Sequence, residues 1–421
     1  MKIKTKFYAI AAASLAGLTM IGCSRNDNSI KLTIWVSEGD RAFAQSVVDE
    51  YKKANPDKSY RFTIDAQGDN EMSTRVLKDV ENAADIFSFP NDQIAKFVNG
   101  DALTRIAGSR LEAIKMNCDE NAVRSATVKK DGEDQCFGIP YTDNTFFLYY
   151  DKSVLNETDV QSIDGILAKL GNKKFAFPMT DGWYTTSFYF GKGLDYSVEY
   201  DANLAETKID CNFDNQTGVA VTNAMWSLVK DSRVKADAND SKITAGFNDG
   251  SIAAAVSGIW NRTSIERSLG ENFAATKLPT YTFNKGQAGE EQVQLVSFAG
   301  YKLMGVNNYS KQKTEALSFI EFYTNKQNQL KLFAERGYVP TNLEAKRDES
   351  LQADPCANAI TKQLAFAKPQ INVPSTLWVP MEGLGNAMIT GAGGGSFNLT
   401  EQLNACVSAI KKTTRQQETM N

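Results

Sequence analysis

The start of the chain alternates strand-like and helix-like segments, and this alternation limits the choice of folds. Residues 30–38 ("IKLTIWVSE") alternate apolar and polar side chains and predict a strand. The next segment places Phe43, Val47 and Tyr51 four residues apart and ends at Pro56, so it predicts a helix. The alternation continues through "YRFTIDA", "NEMSTRVLKDVENA", "ADIFSFP" and "NDQIAKFVNG". Repeated strand–helix units predict an α/β fold with a mainly parallel sheet.

The turns that follow the predicted strands are candidate site loops. In an open α/β sheet, ligands bind where strands end and helices begin. The turns "SEGD" (37–40) and "FPND" (89–92) follow the first and third predicted strands, and Asn91 is also a candidate helix cap. With 421 residues the chain is too long for one ordinary core, which favours two domains or one unit of two lobes.

The chain contains no histidine. A Ser-His-Asp triad, a Cys-His dyad and a histidine zinc site are therefore all excluded. No cysteine spacing matches a zinc knuckle either, so we expect neither a metal nor another cofactor.

Residues 1–22 have the layout of a secretory signal, in which three lysines precede an apolar run and then small residues. The run is too short for a typical membrane-spanning helix. Its end, "MIGC", resembles a bacterial lipobox, in which the cysteine after the cleavage site receives a lipid. We therefore expect Cys23 to anchor the protein to the membrane, on the periplasmic or extracellular side, with residues 23–29 as a polar tether. A plain signal peptide with an incidental cysteine is the alternative.

The charge of the mature chain argues against a nucleic-acid partner. Removal of residues 1–22 takes away three lysines and no acids, so the formal net charge falls from −4 to −7. A mildly acidic protein without a basic run is a poor ligand for a polyanion.

Five cysteines follow the predicted anchor, and export makes disulfides possible. Cys118 and Cys136 flank the polar turn "KKDGEDQ", which predicts a local bridge between them. The later cysteines form either a second bridge or buried apolar positions, and not all of them are able to pair: Cys211, Cys356 and Cys406.

Seven segments occur in a characteristic order: "LTIWVSEGD", "ADIFSFPNDQIAKFVNGDAL", "GIPYTDNTFFLYYDKS", "FNDGSIAAAVSGIWN", "ATKLPTYT", "SFAGYKLMGVN" and "GYVPTN". With them, nearly all of the mature chain resembles the family 1 extracellular solute-binding proteins of ABC importers, and within them the maltose and maltodextrin branch. The order and spacing of the segments are specific to the family and much less specific to one sugar.

The resemblance implies a periplasmic-binding-protein-like fold, in which two α/β lobes enclose a ligand cleft. Crossing strands near Asp143 and Ala299 are expected to act as the hinge, and lobe closure to signal the loaded state to the transporter. The implied first lobe takes residues 30–142 with a returning segment 301–340, and the second takes 146–297 with 343–421.

The resemblance also interprets an aromatic stretch, residues 177–190 ("FPMTDGWYTTSFYF"), which otherwise suits either a core or a ligand surface. In the family, a loop of the second lobe offers an acid and an aromatic pair to the sugar, and Asp181, Trp183 and Tyr184 fall in those places. A pyranose stacks its C–H face on an aromatic ring, while its hydroxyls need directed donors and acceptors. The next aromatic residues are expected to be core: Phe188, Tyr189 and Phe190.

Four further positions are candidates by the same resemblance. Glu38 lies at a loop that contacts sugar, although a solvated turn acid is the alternative. Phe89 stands where a stacking tryptophan is common, and Asp92 where the family has a sugar-binding acid or a helix cap. Gln93 replaces an arginine that is common in maltose binders, and Asn144 replaces a glutamate of some relatives, so the hydrogen-bonding pattern differs from strict maltose geometry.

The later tryptophans divide between site and core. Trp260, after "AAAVSG", matches the cleft tryptophan of the family, with core packing as the alternative. Arg262 is expected to reach a sugar hydroxyl or to lie on the surface. Trp378 lies in a segment that carries another cleft aromatic in the family. The position of that aromatic is defined in this sequence to within about two residues. Two others are expected in the core: Trp35 and Trp226.

These features predict a monomeric, lipid-anchored receptor and not an enzyme. Its expected ligand is an oligosaccharide such as maltose or maltodextrin, and its expected partner is the permease of an ABC transporter. Three alternatives stay open: a receptor for another oligosaccharide or polar solute, a surface adhesin or carbohydrate-binding module, and a secreted glycoside hydrolase with Glu38 and Asp181 as its paired carboxylates.

Overall fold

The computed structural model describes residues 29–68, 71–201 and 205–413. The predicted signal segment, Cys23 and all of the predicted tether except Ser29 lie outside the described residues. Within those ranges, no helix is long and apolar enough to cross a membrane.

The secondary structure alternates between strands and helices along most of the chain. The strands are β1 (Ile30–Val36), β2 (Tyr60–Ala66), β3 (Ile86–Pro90), β4 (Thr127–Lys130), β5 (Glu133–Cys136), β6 (Ile139–Asn144), β7 (Phe146–Asp151), β8 (Lys174–Ala176), β9 (Tyr196–Tyr200), β10 (Glu206–Cys211), β11 (Val234–Lys235), β12 (Ile252–Gly258), β13 (Phe273–Thr276), β14 (Thr280–Phe283), β15 (Glu291–Gln294), β16 (Ser297–Val306), β17 (Val339–Pro340) and β18 (Ala367–Pro369). The α-helices are α1 (Arg41–Ala54), α2 (Met72–Lys78), α3 (Ile94–Asn99), α4 (Ser109–Asn117), α5 (Glu120–Ser125), α6 (Ile163–Lys169), α7 (Gly182–Gly191), α8 (Gln216–Lys230), α9 (Asp240–Asn248), α10 (Arg262–Leu269), α11 (Lys313–Tyr323), α12 (Lys326–Arg336), α13 (Glu349–Ala353), α14 (Pro355–Leu364), α15 (Trp378–Ala392) and α16 (Leu399–Ile410).

A seven-stranded sheet, whose surroundings we call the first lobe, has the order β17-β6-β16-β3-β1-β2, with β18 paired to β16. Strand β1 is parallel to β2 and β3, as the strand–helix alternation predicts. Strands β3 and β6 both pair with β16 in the antiparallel sense. The prediction of a mainly parallel sheet is therefore wrong for this half of the sheet, because β16 is a long strand that runs against its two neighbours.

A five-stranded sheet, whose surroundings we call the second lobe, has the order β11-β8-β12-β7-β13. It is also mixed, since β8 is parallel to β11 and β12 while β7 is antiparallel to β12 and β13. Side chains alternate across β7, so Phe146 and Leu148 enter one core and Phe147 and Tyr149 enter another. Both faces of this strand are buried, which explains its unbroken apolar sequence.

The two sheets are joined where β6 leads into β7. Only Thr145 separates Asn144, the last residue of β6, from Phe146, the first of β7. The buried Thr145 hydroxyl lies 2.7 Å from the Ser297 hydroxyl and 2.7 Å from the carbonyl oxygen of Phe298, both at the start of β16. The lobe boundaries implied by the resemblance stay a prediction.

A buried ion pair lies beside this crossing. The Asp143 carboxylate, near the end of β6, is 2.7 Å from the ammonium of Lys346, which also bonds Asp119. Burial raises the pKa of Asp143 to about 6, although Lys346 opposes that rise. Asp143 therefore has a structural partner beside the crossing between the two sheets.

The predicted bridge between Cys118 and Cys136 is wrong, because both are free thiols. The Cys118 sulfur contacts the Thr341 hydroxyl at 3.8 Å, whereas the Cys136 sulfur contacts the carbonyl oxygen of Gly138 at 3.4 Å. The hairpin of β4 and β5 pairs Cys136 with Thr127, so the polar turn does not bring the two cysteines together. The later cysteines are also free and buried: Cys211, Cys356 and Cys406.

We expect the five cysteines of residues 29–413 to react as thiols. In the folded protein, alkylation should be slow because burial raises the pKa of Cys118 and of Cys136 to about 11. After unfolding without reductant, intact-mass spectrometry of a mature Cys23→Ser protein should count five labels. A Cys118→Ser variant should lower that number to four, whereas a bridge would give three labels at first and raise the number to four.

Candidate functional site

A cleft of about 970 Å³ lies between the two lobes. Its volume is at the upper end of the range for small-molecule sites. From the first lobe it is lined by the end of β3 and the segment after β2, and from the second lobe by the starts of α7, α9 and α15. The lining from the first lobe fits the expectation that ligands gather at the carboxyl ends of parallel strands.

Three tryptophans of the second lobe line the cleft: Trp183, Trp260 and Trp378. The ring centroids of Trp183 and Trp260 are 5.8 Å apart at an interplanar angle of 44°. Trp260 is the most exposed of the three, with 43% of its surface accessible. Trp378 begins α15, and its ring packs edge-on against Phe298. The three indole rings together form an aromatic wall, by which we mean these three residues.

Asp181 fixes the start of α7, and with it the position of Trp183. Its carboxylate accepts a hydrogen bond of 2.8 Å from the backbone N–H of Trp183, which is an N-cap contact. Asp181 is an exposed residue of the cleft lining, and the carboxylates of Asp240 and Glu382 lie nearby. Desolvation and then these two charges raise the pKa of Asp181 above its ordinary value.

Tyr184 also lines the cleft, but it is almost fully buried, with 5% of its surface accessible. Its ring packs against Phe146 with the centroids 4.7 Å apart, so little of its surface is accessible to a ligand. The rest of α7 faces inward, as the sequence predicts. The buried residues there are Phe188, Tyr189 and Phe190.

Asp240 was not found by sequence reasoning, although it holds Trp260 in place. One of its carboxylate oxygens accepts hydrogen bonds from the Trp260 indole N–H at 2.9 Å and from the Asn261 amide at 2.7 Å. Gly258 makes room for the ring, because a Cβ at this position would lie 2.1 Å from two of its atoms. In the sequence, Asp240 resembles any acid in the first turn of a helix, since Asn239 caps α9.

Two other predicted residues line the cleft, Asp92 from the first lobe and Asn144 at the end of β6. Further polar residues that the sequence did not single out for ligand contact are Glu71, Asn91, Lys302, Gln370 and Glu382. Asn91 does not cap a helix. Its amide donates to the backbone oxygen of Gln370 at 2.6 Å, and its side-chain oxygen accepts from the backbone N–H of Tyr301 at 2.9 Å.

Phe89 does not contribute to the cleft, so that prediction is wrong. Its side chain has no accessible surface and packs against Phe97 at 4.8 Å and Phe87 at 5.7 Å between ring centroids. A Cβ at Gly305 of the neighbouring strand β16 would come within 2.9 Å of the Phe89 ring, so the close approach of that strand helps to enclose it.

Two charged candidates lie outside the lining of the cleft. The guanidinium of Arg262 is 2.5 Å from Asp354, the N-cap residue of α14, and 3.2 Å from Glu266. These two ion pairs hold the Arg262 side chain in place. Glu38 is exposed in a 3-10 turn directly after β1. A contact between either side chain and a ligand in the cleft stays a prediction.

The fold and the cleft define a solute-binding protein. Residues 46–359 match the family described as bacterial extracellular solute-binding protein, and the chain belongs to this family. A two-lobed fold is confirmed by a solved complex with acarbose, which shares 30% sequence identity and a TM-score of 0.79 over 91% of this chain and 99% of that one.

Two relatives are similar to almost the whole chain. The maltodextrin-binding protein MdxE of Bacillus subtilis is 24% identical over 99% of both proteins. The maltooligosaccharide ABC transporter solute-binding lipoprotein of Streptococcus pneumoniae serotype 4 is 22% identical, over 98% of this chain and 99% of its own length.

The exposure of the aromatic wall is open to a direct test. We expect Trp260→Phe to remove the largest part of the tryptophan emission that acrylamide quenches, because Trp260 is the tryptophan most accessible to solvent. The matched control is Trp226→Phe, since Trp226 packs on Phe397 with 4.3 Å between ring centroids. Equal losses of quenching in the two variants would contradict the position of Trp260.

Proposed function

We propose that this protein is an extracytoplasmic receptor that binds a malto-oligosaccharide in the cleft and delivers it to the permease of an ABC transporter. The observation that supports this most strongly is the combination of the aromatic wall with several carboxylates in one cleft. Aromatic faces suit the C–H faces of pyranose rings, and carboxylates accept hydrogen bonds from sugar hydroxyls.

The charges in the cleft favour a neutral ligand over an anion. Among the described lining residues, Lys302 is the one cation, and its ammonium already lies 2.9 Å from the Asp40 carboxylate. The acids outnumber it: Glu71, Asp92, Asp181, Asp240 and Glu382. A phosphate or carboxylate ligand would be repelled there, whereas a polyol would find acceptors for its hydroxyls.

The comparisons support malto-oligosaccharides as the ligand class. One relative is named for maltodextrin and the other for maltooligosaccharide transport, and the solved structure at 30% identity is a complex with acarbose. Those names and the chemistry of the cleft together support the proposed ligand of this chain.

The same reasoning supports a membrane-anchored receptor. The "MIGC" sequence resembles a lipobox, and the Streptococcus pneumoniae relative is named a lipoprotein. We place the lipid on Cys23 and the folded chain outside the cytoplasmic membrane, as a monomer that presents its loaded cleft to the permease.

Binding without hydrolysis is also part of the proposal. The hydrolase alternative paired Glu38 with Asp181, but Glu38 does not line the cleft. Asp181 bonds the start of α7, and Asp240 bonds Trp260 and Asn261, so these acids have structural partners. A mixture of sugar and protein should return the sugar intact, without new reducing ends; release of shorter products would favour the enzyme.

Titration of the mature Cys23→Ser protein with malto-oligosaccharides should give saturable, stoichiometric binding by calorimetry. We expect Trp260→Ala to weaken binding about ten-fold or more, about 1.4 kcal/mol, because it removes a stacking face. Trp226→Phe is the control and should bind normally, and denaturation curves should verify the folding of both variants. Saturation only with galacto-oligosaccharides or another sugar would replace the ligand, and no binding to any sugar would overturn the receptor.

Sugar binding should weaken in mild acid. Since the pKa of Asp181 is raised, its carboxylate is protonated at a higher pH than an ordinary aspartate and loses an acceptor for sugar hydroxyls. The affinity of the wild type should therefore be constant near neutral pH and fall as the pH approaches the aspartate range from above. Asp181→Asn should bind more weakly at neutral pH but change less with pH, and parallel pH profiles of the two proteins would exclude Asp181 as the titrating group.

A further inference from the structure

We infer that Gln370 is a positioning residue that fixes Trp183 of the aromatic wall and links it to the first lobe. Gln370 directly follows β18, in a segment that joins α14 to α15. None of the seven segments that carry the family resemblance includes this position. The inference rests on the proposed sugar-binding function, because it explains how one stacking surface is held for the ligand.

The side chain of Gln370 contacts the indole of Trp183. Its oxygen accepts a hydrogen bond of 3.0 Å from the indole N–H. Phe146 packs on the same indole with 4.7 Å between ring centroids at 63°. The hydrogen bond at the edge and the ring contacts with Phe146 and Tyr184 together determine the orientation of the Trp183 indole, and Trp260 lies beside it in the wall.

The backbone of Gln370 is bound to the other lobe. Its N–H donates to the carbonyl oxygen of Ala299 on β16 at 2.9 Å. Its own carbonyl oxygen accepts from the amide of Asn91, which lies in the 3-10 turn after β3 and is 2% exposed. Asn91 in turn accepts from the backbone N–H of Tyr301. The backbone of Gln370 is therefore hydrogen-bonded to the first lobe, whereas its side chain is hydrogen-bonded to Trp183 of the second lobe.

The neighbouring strand leaves room for this arrangement. A Cβ at Gly300 would lie 3.3 Å from the side-chain oxygen of Gln370 and 3.5 Å from the backbone oxygen of Asn144, so a larger residue would press on the glutamine. Gly300 and Gln370 both line the cleft beside Trp183. Movement of one lobe against the other is thereby coupled to the orientation of a ring that we propose to stack on sugar.

The test combines affinity with a signal from Trp183 itself. Gln370→Ala should weaken malto-oligosaccharide binding about five-fold, the effect of one net hydrogen bond. Gln370→Glu keeps an acceptor for the indole N–H and should retain most of the affinity. Gln45→Ala is the matched control, because Gln45 is an exposed residue of α1 whose side-chain amide bonds Asp49 in the same helix.

A double-mutant cycle with Trp183→Phe separates positioning from a general loss of stability. If the bond between Gln370 and the indole carries the effect, Gln370→Ala should add almost nothing to the loss caused by Trp183→Phe. Full additivity of the two losses would overturn the inference.

Fluorine NMR of the ligand-free protein with 5-fluorotryptophan keeps the inference testable without a sugar. Trp183→Phe assigns one resonance, and Gln370→Ala should shift or broaden that resonance while leaving that of Trp226 unchanged. An unmoved Trp183 resonance would overturn the positioning role. If the resonance moves but the wild type binds no sugar, the proposed ligand fails and the structural link stands.

Discussion

The arrangement of the two lobes depends on the buried hydroxyl of Thr145. This residue is the entire connection between β6 and β7, and its hydrogen bonds reach Ser297 and Phe298 on the strand that crosses alongside. Because a buried polar group must be satisfied, the two crossing strands stay paired at the point where the chain changes sheets. The cleft opens directly beside this point, since Asn144 and Gly300 belong to both the crossing and the lining.

The cleft is built unequally by its two lobes. The second lobe supplies all three indole rings of the aromatic wall, and each ring lies near the beginning of a helical turn. A nearby hydrogen bond or close packing fixes each of these turns. The first lobe supplies mostly polar side chains at the ends of β2 and β3, together with Lys302 and Tyr301 of β16. A ligand in this cleft would meet flat apolar surfaces on one side and hydrogen-bonding groups on the other, which matches the two kinds of surface on a sugar ring.

Much of the architecture follows from local sequence signals. Most strands and helices near the start of the chain lie close to their predicted ranges, because hydrophobic periodicity and helix-ending residues act locally. Helix α2 is the exception, since it ends at Lys78 and not at Ala83. Local signals did not predict the direction of every strand, because β16 pairs with β3, which lies more than 200 residues away along the chain. The bridge between Cys118 and Cys136 failed for a similar reason, because short spacing does not determine which side chains a hairpin brings together.

Phe89 and Asp240 show the same limit at the site, where an aromatic residue turned inward and an ordinary helix acid turned toward a tryptophan. Gln370 had no local signal at all, because its contacts come from Asn91, Trp183 and Ala299.

The free thiols have a consequence for how such a protein is produced. All five cysteines of residues 29–413 are buried and unbridged, so the core of this large chain rests on noncovalent packing alone in that part of the protein. A chain that crosses a membrane unfolded and then needs no cross-link has no requirement for an oxidase or a disulfide isomerase on the far side. Its maturation should therefore be insensitive to the redox state of the compartment that receives it, provided that folding is fast enough to bury the thiols before an oxidant reaches them.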